Sequence, residues 1–233
     1  MRLRVVNVNA SQHEVVPYRV WIERIYLWAC ERLYDELAGH YDLVSWLVSG
    51  GQWRSWQAGV WDEVYGKRVL ELGCGTGTML VEGAQRGLHV VGVDRSPAML
   101  AVAQRRVNIA RSDAELLRGD GIMLPLGENQ FDTVIATFPA GYILAPETLA
   151  EVGRVLRVDG RFIVLGLWVE VHMGILARLL PVFYGRPTDS VCMGIEQRMK
   201  TAGFRMRWLE QRKGFFTIGG FVAEPMERAD EGV

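Results

Sequence analysis

The sequence predicts an α/β fold: a mostly parallel sheet with helices on both faces, closed by an antiparallel pair of strands. Three observations carry this. From residue 69 to residue 166, short β-branched and leucine-rich runs alternate with stretches of helical spacing, the order that yields parallel strands covered on both sides. The first of these runs enters three alternating glycines, the sharp turn by which a strand hands over to a helix at the ligand end of such a sheet. The last part differs. Its apolar runs 204–209 and 215–223 are separated only by a turn at Lys213-Gly214, close enough to pair antiparallel.

Val69-Leu70-Glu71-Leu72 is the first strand and Gly73-Cys74-Gly75-Thr76-Gly77 the turn after it. Without side chains at the three glycines the backbone can bend sharply, bringing a ligand to its N–H groups and to the helix N-terminus that follows. This is a nucleotide-binding turn. Glu71 sets a negative charge where a phosphate loop would not want one, so a cationic ligand is implied. A dinucleotide fingerprint would also need its third glycine at position 78, which is Thr78. His89-Val90-Val91-Gly92-Val93-Asp94 is the second strand. It ends in a carboxylate about twenty residues beyond the glycines, where a ribose can be held by its two hydroxyls. Ser96 and Pro97 read as the N-cap and first residue of a helix. Arg118-Gly119-Asp120-Gly121-Ile122 ends a third short strand and carries another acid. Residues 131–138 and 160–166 are the fourth and fifth strands; between them 146–157 is helical, with Leu149, Val152 and Leu156 at helical spacing.

Glu71-Leu72-Gly73-Cys74-Gly75-Thr76-Gly77 resembles the first motif of the class I S-adenosylmethionine-dependent methyltransferases. The resemblance implies a Rossmann-like sheet of seven strands with one antiparallel strand at the edge, and S-adenosylmethionine as cofactor. It assigns Glu71 to the ligand's amino group, directly or through water, and Gly73, Cys74 and Gly75 to its methionine moiety. Asp94 takes the ribose with Arg95 beside it, Met99 and Leu100 point to the adenine side, and Asp120 takes the adenine amino group with Gly121 and Ile122 at the ring. Thr137, at the end of the fourth strand, belongs to the same pocket. Further upstream, Tyr41-Asp42, Ser49-Gly50-Gly51 and Arg54-Ser55-Trp56 resemble, in identity and spacing, the stretch that precedes this motif in the ubiquinone and menaquinone C-methyltransferases. Trp53 stands where that family usually has histidine. The likeness covers most of residues 34–166 and implies methyl transfer to a carbon of a quinol or similar aromatic, with Tyr41 at the mouth of the cofactor pocket and no metal. A carbon acceptor must also lose a proton. His40, Tyr41, Tyr142 and His172 are candidates for taking it, His40 and Tyr142 first. Phospholipid N-methyltransferases share the cofactor half, so an amine headgroup is the alternative acceptor, its phosphate held by Arg54, Arg178 and Arg186. A non-catalytic module that only holds S-adenosylmethionine is the third reading, and a nicotinamide-dependent oxidoreductase is disfavoured by the glycine spacing.

A chain of 233 residues with 49% apolar content can bury one substantial core, expected here as a single methyltransferase domain over 40–224. A net charge of -1 with no arginine- or lysine-rich run argues against nucleic acid as a partner. Cys30, Cys74 and Cys192 are odd in number and widely spaced, which fits neither a disulfide framework nor a zinc site and points to a reducing, cytoplasmic setting. There is no signal pattern and no apolar run long enough to cross a bilayer.

Residues 1–39 are expected to form an amphipathic helical cap, because Tyr18, Ile22, Ala29, Leu33 and Leu37 recur at three- and four-residue steps. The charges around them are mixed in sign, which favours packing over the ligand end of the sheet above lying at the inner face of a membrane. Six of the eight tryptophans fall in the first 61 residues, a cluster that lines a pocket for something apolar or sits at an interface. Residues 168–189, apolar from Val171 to Phe183 and broken by Pro181, Gly185 and Pro187, are the expected lid over an apolar small-molecule or lipid acceptor. Residues 225–233 are expected to be a disordered tail.

Overall fold

The computed structural model describes residues 38–172 and 185–226. Its strands are β1 (Arg68–Leu72), β2 (His89–Asp94), β3 (Glu115–Arg118), β4 (Phe131–Thr137), β5 (Leu156–Val171), β6 (Phe204–Lys213) and β7 (Phe216–Pro225). Its helices are α1 (Tyr41–Val48), α2 (Trp53–Gln57), α3 (Thr78–Gln85), α4 (Pro97–Ala110), α5 (Pro146–Val155) and α6 (Asp189–Thr201). The strands form one sheet in the order β3-β2-β1-β4-β5-β7-β6. Strands β1 to β5 run parallel, and β7 is antiparallel to both β5 and β6. The expected closing pair is present; within it β7 is the reversed strand and β6 the edge. The order reverses at β1, whose neighbours are β2 and β4, and the carboxyl ends of these strands open a crevice there.

Alternation along the strands sorts the interior into two cores. Leu70, Leu72, Val134 and Phe162 pack on one face with Leu149, Val152 and Phe204. Val69, Ile135 and Ile163 pack on the other with Met79, Leu80, Trp56 and Trp61. Every residue of β4 is buried, as befits a central strand covered on both sides. Helix α4 starts as its sequence predicts: the Ser96 hydroxyl accepts the Met99 N–H at 3.3 Å and Pro97 takes the first helical position. At the opposite end of the sheet, Asp132 ties β4 to the start of β1, its Oδ2 accepting the N–H groups of Lys67 (2.8 Å) and Arg68 (2.9 Å) and its Oδ1 pairing with Arg157. Burial alone would raise this carboxyl, but the two backbone donors and Arg157 outweigh it and hold it below its usual range.

Three expectations are corrected. Helix α5 ends at Val155 and Leu156 already belongs to β5, which runs on to Val171. The start of the expected lid is therefore strand. Trp168 and Val169 are buried and pair with Gly219 and Ile218 of β7, and a Cβ at Gly219 would lie 1.8 Å from the Trp168 ring. Pro225 completes β7 instead of opening a tail, and Glu224 before it pairs with Arg161 (3.3 Å) and Arg205 (3.2 Å). The expected N-terminal helix, the rest of the lid to residue 184 and the tail from 227 lie outside the described residues.

Candidate active site

A cavity of about 570 Å³ lies at the carboxyl ends of β1, β2 and β4, walled by the loop after β3 and by residues 138–142 after β4. The glycine turn forms its floor. Gly73, Gly75 and Gly77 have φ of 69°, 51° and 74°, a left-handed backbone that suits glycine alone among common residues. A Cβ at Gly77 would also lie 2.8 Å from the Ala103 side chain, so this glycine lets α3 and α4 approach. The turn's amides face inward. Gly73 and Cys74 donate to the Val93 carbonyl (2.8 and 3.1 Å), Gly75 to Asp94 Oδ2 (2.8 Å) and Gly77 to the Cys74 carbonyl (2.9 Å). Four of the turn's five N–H groups therefore already have acceptors within the chain, unlike the open cradle of donors that holds a pyrophosphate. A ligand here meets acids instead.

Glu71 shares the sheet face of Val69 and is 1% exposed, with no hydrogen-bond partner for Oε2. Burial, and then the charge of Asp94, push its carboxyl well above the usual carboxylate range. A cation placed against it would relieve both effects. Asp94 holds the turn, accepting the Gly75 N–H through Oδ2 and the Ser96 N–H through Oδ1 (2.9 Å). Asp120 is exposed on the loop after β3 and accepts the Ile122 N–H at 3.3 Å. Arg95, Gly121, Ile122 and Thr137 line the cavity as expected, as do Gly73, Cys74 and Gly75. Burial, then Glu71 and Asp94, push the Cys74 thiol up, so it stays a neutral packing group.

Tyr142 reaches across the cavity to the glycine turn: a Cβ at Gly73 would lie 2.9 Å from its hydroxyl, and one at Gly121 2.8 Å from its ring. Burial, then Asp94 and Asp120, push its phenol above the usual range, which makes it a hydrogen-bond donor and a poor base. His40 is exposed in the turn Ala38–His40 ahead of α1, outside the cavity lining. A helix start intervenes, and it is Tyr41 that faces inward. Met99 is likewise outside the lining, fully buried beneath the cap that Ser96 makes. His172 lies beyond β5, its Nε2 2.8 Å from the Thr217 hydroxyl.

Local sequence singled out Asp42 and Trp53 without their contacts, and gave no sign of Gln57. Asp42 accepts the Thr76 hydroxyl at 2.8 Å and pairs with Arg106, which also reaches Thr76 (2.9 Å) and Thr78. The tyrosine-aspartate pair thereby acquires a physical role: Asp42 fastens α1 to the glycine turn and so sets Tyr41 at the cavity wall. Of the tryptophan cluster, Trp53 is the member that lines the cavity among the described residues. It packs on Phe138 with ring centroids 4.2 Å apart and planes tilted by 31°, and meets Tyr41 edge-on at 6.5 Å. Trp56 is buried behind it, Trp61 packs in the core, and Trp46 is exposed. Gln57 of α2 donates to the Thr137 hydroxyl at 3.0 Å across 80 positions of sequence.

Residues 69–160 match the model of a methyltransferase domain. Over 169 residues the chain is 34% identical to a demethylmenaquinone methyltransferase of Renibacterium salmoninarum, a span of 68% of this chain and 70% of that protein. The chain belongs to the class I S-adenosylmethionine-dependent methyltransferases. A second demethylmenaquinone methyltransferase, of Paenarthrobacter aurescens, is 34% identical over 160 residues, 64% of this methyltransferase and 62% of the relative. Among solved structures, an S-adenosylmethionine-dependent methyltransferase from Aquifex aeolicus superposes with a TM-score of 0.54 at 20% identity, covering 71% of this chain and 88% of that one. The cavity suits the cofactor of this family. Glu71 offers a buried, unpartnered oxygen to a cation, and the acids on β2 and after β3 stand where a nucleoside can extend from it.

Proposed function

We propose that this methyltransferase transfers the methyl group of S-adenosylmethionine to a ring carbon of a quinol or similar hydroxylated aromatic. The observation that carries the reading is the aromatic wall beside the cofactor floor, Trp53 packed on Phe138 with Tyr41 edge-on, a surface that suits a flat apolar ring. The relatives named demethylmenaquinone methyltransferase support it.

In this reading Glu71 faces the cofactor's amino group, Asp94 its ribose, and Asp120, Gly121 and Ile122 its adenine, with Gly73, Cys74 and Gly75 along the methionine moiety. Arg95 and Thr137 complete the cofactor wall, and Tyr142 donates a hydrogen bond at the glycine turn. Bound S-adenosylmethionine supplies a methyl group already activated by a positive sulfur. What remains for the chain is to align the acceptor carbon and keep water out. The acceptor carbon gains the methyl group and loses its own proton. Of the four candidate bases only Tyr41 and Tyr142 line the cavity, and the upward shift of Tyr142 suits a donor, which leaves Tyr41 as the candidate base.

N-methylation of a phospholipid headgroup finds less support. Arg54 is exposed and outside the cavity lining, Arg186 is exposed and pairs with Glu210 at 3.3 Å, and Arg178 lies outside the described residues. Peripheral contact of a cytoplasmic enzyme with the inner face of a membrane belongs to the proposal. Exposed Leu43, Trp46 and Leu47 share one face of α1, the helix that also carries Tyr41. Incubating the protein with methyl-labelled S-adenosylmethionine and a bacterial lipid extract tests the acceptor: label in the quinone fraction is expected, and label confined to amine headgroups would overturn the reading.

A further inference from the structure

Beside the aromatic wall, Gln57 is left over once the cofactor contacts are assigned, and it is bonded to Thr137 of the cofactor wall. Gln57 closes α2, Thr137 closes β4, and both line the cavity. The Gln57 Nε2 donates to Thr137 Oγ1 at 3.0 Å, while Gln57 Oε1 is buried with no partner. Among the described residues nothing accepts the Thr137 hydroxyl hydrogen. A buried amide oxygen without a donor is unfavourable unless a ligand provides one. Exchanging the amide's oxygen and nitrogen reverses the bond to Thr137 but not the outcome, since the pair still presents a donor and an acceptor side by side. A phenolic hydroxyl needs both. An ammonium group offers donors only, and a phosphate oxygen accepts only.

The backbone next to this pair is strained in a way that sets the ring wall. Phe138 has φ of 50°, a left-handed conformation that costs a residue with a Cβ. Its ring rests over Gly166, in the bulge of β5, where a Cβ would lie 2.5 Å away. Trp53 covers it from the other side. An aromatic surface and a donor-acceptor pair thus adjoin at the carboxyl end of β4.

We propose that Gln57 selects the acceptor: with Thr137 it binds the ring hydroxyl adjacent to the carbon that is methylated, while the ring packs against Trp53, which Phe138 backs. The inference rests on the quinol reading and names the group by which the site recognises that class. The step needs no further reactant. The acceptor ring supplies the electrons of the new carbon–carbon bond, the pair of the broken carbon–sulfur bond stays on sulfur, and the ring carbon's proton leaves to restore aromaticity. As the ring gives up electrons, positive charge develops on its hydroxyl, and the acceptor of the pair, holding the O–H, steadies it.

The test compares a short-chain demethylated naphthoquinol with its methyl ether at the oxygen next to the methylated carbon, in the wild type and in Gln57→Leu. The wild type should prefer the free hydroxyl about tenfold in kcat/KM, the worth of one buried hydrogen bond. In Gln57→Leu that ratio should fall to about one, with affinity for S-adenosylhomocysteine unchanged by calorimetry. A variant that keeps the wild-type ratio would overturn the proposal and leave the quinol reading standing. Equal use of quinol and ether by the wild type would overturn it with no variant needed, which covers a Gln57→Leu protein that fails to fold. A wild type that methylates no hydroxylated aromatic but labels an amine would sink the quinol reading and the proposal together.

Discussion

Replacing Glu71 by glutamine keeps the shape of the cavity floor and removes its charge, so it isolates what the acid does. Glu71 is 1% exposed with one oxygen unpartnered, and in the ligand-free protein burial and Asp94 favour its protonated form. A cationic amino group brought against it gains a charge-assisted hydrogen bond worth about 1.5–3 kcal/mol, so Glu71→Gln should bind S-adenosylhomocysteine about ten- to a hundredfold more weakly. Ligand binding must ionise the carboxyl. Affinity in the wild type should therefore fall as pH drops below the raised native pKa, by up to about tenfold per unit, with a proton released on binding, while the variant's profile is flat. Stability runs the other way. A carboxyl whose native pKa is raised contributes stability in full below its unfolded value of about 4.3 and loses it as pH rises through the native pKa. The ligand-free wild type should therefore lose melting temperature relative to Glu71→Gln as pH rises, and ligand should reverse the difference. Calorimetry in two buffers of different ionisation enthalpy reads affinity and proton release together. Equal affinity for wild type and variant across the pH range, with no proton released, would show that Glu71 does not meet the ligand as a charge.

Asp94→Ala should weaken cofactor binding by about 1–3 kcal/mol, since it removes the ribose acceptor and frees the Gly75 and Ser96 N–H groups; unchanged titration calorimetry would remove the ribose assignment. Deleting residues 1–37 should spare cofactor binding and abolish methyl transfer, and a truncated protein that transfers at the full rate would show that this segment is no part of the acceptor site. Asp132→Ala should destabilise by about 1–2 kcal/mol, because the Lys67 and Arg68 N–H groups lose a partly buried acceptor. The wild type's advantage should be full above the unfolded value of about 3.9 and disappear as pH falls through the lowered native pKa, as read by thermal melts; an advantage that persists in acid would show that the carboxylate is not its source.

The parts of the fold legible in the sequence are those where one short run decides the structure. The strand entering Gly73, Gly75 and Gly77 could hardly be anything else, and Ser96-Pro97 marks a helix start by its own chemistry. The long β5 was less legible because Trp168 and Val169 read as lid-like apolar residues until β7 is laid beside them, with Gly219 making room for the Trp168 ring. In the site, the acids at strand ends could be placed from motif spacing. The inward-facing amides of the turn could not, because their acceptors on Val93 and Asp94 come from the neighbouring strand. The Gln57–Thr137 pair and the Asp42–Arg106 link are long-range contacts between α1 or α2 and distant elements, with no local pattern to betray them. His40 stands outside the cavity lining for a related reason: a helix start turns one residue outward and the next inward, and the sequence does not say which is which.

Whether this cavity methylates a ring carbon of a quinol, as proposed, can be read from the product itself. The most direct measurement takes purified protein, S-adenosylmethionine carrying an isotope-labelled methyl group and chemically reduced demethylmenaquinone, and locates the label in the product by NMR. A methyl group on the ring carbon beside a hydroxyl is expected, with none formed when the quinone is left oxidised. A methyl ether on the ring oxygen, or transfer to an amine headgroup with the quinol untouched, would contradict it.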